Sequence, residues 1–225
     1  EAGDDGAADH YTSDPSARPE IDLVKDEDSW ERLPTYDWQE PPAGTALSYL
    51  SAPLDEDTVM VGSGSANLWV RSSEADTDLQ VTLSEVRPDG KETYVQSGWL
   101  RASKRALDEE RSTDLQPLAS QLQADEESMP AGKFTELRVE IYPFGHAFRA
   151  GSRVRITISA PGGDKPVWSF VTLDGTQKNE IARTEAMPSS VILPVIPNVD
   201  VPTALPACPS LRGQPCRTYA PATTG

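Results

Sequence analysis

Leu79, Val81 and Leu83 alternate with Gln80, Thr82 and Ser84, and this period of two constrains the chain more than any other feature. Successive side chains of a strand point to opposite faces, so the run reads as a strand with one apolar face. The phase slips at Val86, which predicts a bulge or a strand end there. Pro88, Asp89 and Gly90 follow. Proline fixes φ and glycine supplies a left-handed position, so residues 79–87 are expected to turn back onto 92–103 as a hairpin. Leu137, Val139 and Ile141 repeat the alternation, as do Val154, Ile156 and Ile158. Residues 58–61, 67–71, 168–173, 180–183 and 191–195 read as further short strands, with glycines 62 and 64 separating the first two.

A chain of 225 residues is long enough for a real core, and all-β sandwiches of this size are often one domain. Twenty prolines and fifteen glycines break the sequence too often for long helices. Eight or more strands with long crossovers favour a jelly roll over an up-and-down barrel. The expected fold is therefore all-β: a jelly-roll β-sandwich with an extended N-terminal arm and a Pro-rich C-terminal strap.

Charge narrows the function. Acids outnumber bases 36 to 20, for a net charge of −16, which disfavours nucleic acid and anionic lipid surfaces. The bland reading of this acidity is solubility. No apolar run of about eighteen residues is present to span a membrane. The acidic opening is not a basic and apolar leader, so the chain is expected either to have lost its leader or to come from a longer precursor.

Three regions are expected. Residues 1–44 form an acidic lead-in, extended or loosely docked, followed by an aromatic arm. In that arm Trp30, Leu33, Tyr36 and Trp38 are too apolar to stay exposed and should lie across a core or a neighbouring domain. Residues 45–196 form the sandwich, interrupted at 106–133 by a polar loop with a helical turn near 118–122. Residues 197–225 form a Pro-rich strap containing Cys208 and Cys216. Proline and glycine between the cysteines favour a turn that brings the thiols together. A disulfide there would point to an oxidising, extracytoplasmic compartment, and free buried thiols are the alternative.

Catalytic chemistry is hard to place. Hydrolysis by a serine needs a nucleophile, a base and an orienting acid. A Gly-x-Ser-x-Gly elbow is absent, and the stretch 62–66 fails at its third and fifth positions. Of the two histidines, His10 reads as a solvated loop residue and His146 as a turn or packing residue between two strands. Asp55, Glu56 and Asp57, or Asp76 and Asp78, offer oxygen ligands without the spacing of a calcium loop. No catalytic residue, metal ligand or cofactor is expected of this chain.

Four motifs occur together: the Leu68, Trp69, Val70 strand followed by Asp76 and Asp78; the run 86–90; the run 98–105; and the run 148–155. In this order they resemble the C-terminal domain of the X-prolyl dipeptidyl-peptidase and cocaine-esterase type of α/β-hydrolase, over roughly residues 45–175. The lead-in and the Cys-bearing tail look similar to extensions on secreted bacterial members. The resemblance implies a galactose-binding-like accessory jelly roll, partnered by an upstream or associated α/β-hydrolase domain that carries the Ser-Asp-His triad. That upstream domain is not in this chain, so no catalytic residue carries over.

With Leu68 and Val70 facing the core, Trp69 and Arg71 point outward, and Trp99 and Arg101 share a face of the next hairpin. Outward Trp and Arg are enriched at interface cores, so these four, with Arg105 at the edge, are candidates for docking onto the hydrolase domain. The alternative is that the tryptophans point inward and the arginines pair with Asp76 and Asp78. The expected function is a noncatalytic accessory domain of a secreted serine hydrolase. The competing one is a free-standing carbohydrate-binding module, whose tryptophans would stack on sugar rings.

Overall fold

The computed structural model describes residues 7–18, 36–162, 171–211 and 213–221. The expected apolar positions lie between two antiparallel sheets packed face to face. The strands are β1 (Ala8–Ser13), β2 (Ala46–Leu50), β3 (Thr58–Ser72), β4 (Asp78–Val86), β5 (Lys91–Arg101) and β6 (Thr135–Phe148). They continue with β7 (Arg153–Ser159), β8 (Gln177–Ala182), β9 (Ser190–Ile192), β10 (Val195–Ile196) and β11 (Cys216–Thr218).

In the six-stranded sheet β3 is the hub, pairing β6 along one edge and β8, β9 and β10 in succession along the other, with β1 outside β8. The five-stranded sheet runs β11-β5-β4-β7-β2. Leu68, Val70, Leu137, Val139 and Ile141 from the first sheet meet Leu79, Val81, Leu83, Ile156 and Ile158 from the second, all buried. Where the sheets close, β5 runs against the backbone of β6. A Cβ at Gly98 would overlap the Glu140 carbonyl oxygen, and Gln96 Nε2 donates to the Pro143 carbonyl at 3.1 Å. Pro143 is tolerated because, among the described residues, this side of β6 makes no strand ladder.

The hairpin forms as expected and β4 ends at Val86, where the phase slips, while a register shift lies earlier, between Leu83 and Ser84, opposite Val95. Glycines 62 and 64 do not end a strand. They sit at a shift in the β3–β6 register within one 15-residue strand, Gly62 at φ +129°. His10 and its neighbours, expected as lead-in, form β1 because β8 offers them a partner. The helical turn of the long loop falls at Gln123–Asp125, not at 118–122. Pro194 divides the run 191–195, giving β9 and β10. Of the strand expected at 168–173, residues 168–170 lie outside the described residues and 171–173 are not strand. Trp30 and Leu33 also lie outside them.

Candidate functional site: the polar face under the arm and strap

Because β4 alternates, the face opposite Leu79, Val81 and Leu83 carries Asp78, Gln80, Thr82 and Ser84, and all four are buried. Gln80 Oε1 accepts from Arg18 at 3.1 Å and from the Trp99 indole at 3.0 Å. Its amide donates to Thr82 at 3.0 Å, Thr82 and Ser97 share a hydrogen bond of 3.0 Å, and the Tyr94 hydroxyl donates to Ser97. Buried polar atoms cost free energy unless paired, so such a sheet face is stable only as a connected network.

At its far end the network becomes ionic. Glu92, fully buried, accepts from Ser84 at 2.6 Å, from Arg155 at 2.9 Å and from Arg217 Nε at 2.9 Å. Glu40, from the arm, pairs with both Arg155 and Arg217. Two carboxylates and two guanidiniums thereby join the arm (Glu40), β5 (Glu92), β7 (Arg155) and β11 (Arg217). Burial alone would lower the Arg155 pKa, yet its bonds and charge contacts with Glu40 and Glu92 raise it overall. Trp38 lies under the Arg217 guanidinium, 3.8 Å from ring centroid to carbon, and Tyr36 and Trp38 pack edge-on against Tyr94. Tyr36 and Trp38, the described part of the arm's aromatic group, thus lie against the five-stranded sheet. Between arm and strap lies a cleft of about 770 Å³, lined among others by Tyr36, Trp38, Glu40, Leu211 and Arg217.

Cys208 and Cys216 form a disulfide, with Cα atoms 5.5 Å apart. It fixes the strap at the first residue of β11, which pairs with residues 91–93 of β5.

The five docking candidates divide between the sheets. Trp69 and Arg71 lie on β3 in the six-stranded sheet, Trp99 and Arg101 on β5 in the five-stranded one, and Arg105 beyond the β5 end. Each arginine has a carboxylate partner. Arg71 meets Glu180 through two bonds and stacks 4.7 Å over Phe134, Arg101 meets Asp78 through two bonds, and Arg105 meets Glu127. Trp99 packs on Tyr142 at 5.4 Å. Three of the acids considered as calcium ligands serve the fold: Asp76 accepts the Ser103 N–H, Asp57 the Ala150 N–H, and Asp78 pairs with Arg101.

His146 lies within β6, facing Glu85 at 2.8 Å and packing edge-on against Phe148. Glu85 also accepts from Ser152 at 2.6 Å and from the Arg149 N–H at 3.1 Å. Burial pushes the Glu85 carboxyl up, but its bonds to His146, Ser152 and Arg149 outweigh this and its pKa lies below the ordinary value. Serine, histidine and glutamate thus meet, but in the wrong order for nucleophilic catalysis. A nucleophilic serine must give its proton to the imidazole; here the carboxylate sits between the two and Ser152 is fully buried. The group ties β4 of one sheet to β6 of the other.

Sequence reasoning missed the Glu40, Glu92, Arg155 and Arg217 group. Its faint signal is charge in strand phase: Arg155 and Thr157 alternate with Ile156 and Ile158, and Glu92 sits two residues before Tyr94.

Residues 3–191 match the family described as the X-Pro dipeptidyl-peptidase C-terminal non-catalytic domain. The chain belongs to this family. The match is wider than the motifs at 45–175 and takes in β1. Over 153 residues the chain is 30% identical to a protein of Mycobacterium bovis whose name places it among the serine esterases, spanning 67% of this chain and 24% of that protein. It is 26% identical over 160 residues to the cocaine esterase of a Rhodococcus species, spanning 67% of this chain and 25% of that enzyme. A CocE/NonD family hydrolase from Staphylococcus aureus superposes with a TM-score of 0.60 at 20% identity, over 84% of this chain and 33% of that one, a likeness of fold. The chain spans about a quarter of the length of the curated relatives it matches.

Proposed function

We propose that this chain is the jelly-roll, galactose-binding-like accessory module of a secreted serine hydrolase acting on ester or amide bonds. It stabilises an α/β-hydrolase catalytic domain and shapes its substrate entrance. The observation that carries this reading is the match to a non-catalytic C-terminal domain, together with a likeness to esterases that spans about a quarter of their length. The regions 1–44, 45–196 and 197–225 then act as arm, sandwich and strap, with β1 of the first region added to the sandwich, and the disulfide supports export to an oxidising compartment.

In this reading Trp69, Arg71, Trp99, Arg101 and Arg105 contact the catalytic domain. The two tryptophans lie on different sheets, so the docking face is open to direct test. Binding of the chain to a separately produced catalytic domain of its own enzyme should be measured by calorimetry for the native protein, Trp69→Ala and Trp99→Ala. A loss of about tenfold or more in one variant identifies the docking face. Undiminished affinity in both folded variants removes these residues from the interface, and no binding by the native chain removes the docking reading itself.

A further inference from the structure

The family match ends at residue 191, and the strap lies beyond it. The strap is held differently along its length. Its first half is carried on backbone carbonyls: Arg149 reaches Val201 and Ala204 as well as the Thr203 hydroxyl, and Arg87 reaches Pro206 at 3.0 Å. Its second half enters the body. The Tyr94 N–H donates to the Pro215 carbonyl, β11 extends β5, and Arg217 reaches Glu92 and Glu40.

A three-residue strand at an edge is weak on its own, because ordering each residue costs about 1–2 kcal/mol of chain entropy. The Cys208–Cys216 bond closes a short loop whose second cysteine opens this strand, and so restricts the freedom that β11 would gain on leaving the edge. Both cysteines are partly exposed, so a thiol can reach them.

We propose that the strap is a thiol-controlled latch: with Cys208–Cys216 closed it seals the polar face and pins the aromatic arm, and reduction releases β11 and Arg217. The reductant is a dithiol. One thiolate attacks a cystine sulfur to form a mixed disulfide, and the second thiolate resolves it. The dithiol leaves as a disulfide, while Cys208 and Cys216 take up two electrons and two protons. Once Arg217 is gone, Glu92 keeps Arg155, Trp38 loses its cation, and the edge of β5 at residues 91–93 is uncovered. In an oxidising compartment the latch closes once and stays closed.

Arg217 is also the readout. Its side chain is only 11% exposed, so trypsin cannot seat it while the latch is shut. The full chain should be treated with trypsin with and without prior dithiothreitol and alkylation, following by mass the loss of residues 218–225. Cleavage after Arg217 is expected to rise about a hundredfold on reduction, the entropy of so short a loop being the restraint removed. Cleavage after Arg101 and Arg155, inside β5 and β7, should stay slow. A Cys208→Ser, Cys216→Ser double variant should cut at the reduced rate and ignore dithiothreitol. Equal rates after Arg217 in oxidised and fully reduced protein would overturn the latch. So would cutting at Arg101 and Arg155 in step with Arg217, because the disulfide would then hold the whole domain rather than the strap.

Discussion

The two faces of β4 are both buried, yet they are buried by opposite means. Leu79, Val81 and Leu83 meet apolar side chains across the sandwich, where any group of about the right volume contributes. Asp78, Gln80, Thr82 and Ser84, one residue out of phase, meet polar partners that must each be in place. Loss of a methylene leaves a cavity on the first face; loss of a partner leaves an unpaired charge on the second. The first face is therefore tolerant and the second specific.

The largest expected effect lies on the ionic face. Glu92→Ala leaves Arg155 and Arg217 short of a buried carboxylate, and denaturant unfolding should show a loss of about 4 kcal/mol. Leu83→Ala, on the apolar face of the same strand, should cost about 3 kcal/mol with its slope against denaturant unchanged. A Glu92→Ala loss well below that of Leu83→Ala would break the contrast between the faces.

A smaller effect concerns Glu85, where one sheet reaches the other. Its folded pKa is depressed, so its contribution is fully present above the unfolded value, near 4.5, and is lost as pH falls through the lower folded value. Glu85→Gln should be less stable than the native chain at neutral pH, the difference should shrink below pH about 4.5, and acid unfolding of the variant should take up fewer protons than that of the native chain. A constant difference across that range would separate Glu85 from the acid response.

The contrast also explains what was legible. The apolar face is written in consecutive residues, so the strands 79–87, 137–141 and 154–158 and the hairpin could be read locally. The resemblance carried by the runs 86–90, 98–105 and 148–155 has the same local character, and the family match extends it. The polar face is assembled from afar. Glu40 and Arg155 are 115 positions apart and Arg217 and Glu92 are 125 apart, so no spacing rule joins them. The same non-locality explains β1, which exists because β8 pairs with it. It also explains the glycines at 62 and 64, which look like a break until β6 supplies a ladder across them.

The family to which this chain belongs is described as non-catalytic, although Ser152, His146 and a carboxylate lie together within the chain. Turnover of an activated ester and of a prolyl dipeptide amide by the purified 225-residue chain tests this most directly. The expected rate is that of buffer alone, unchanged by His146→Ala. Steady turnover by the chain that His146→Ala abolishes would contradict it.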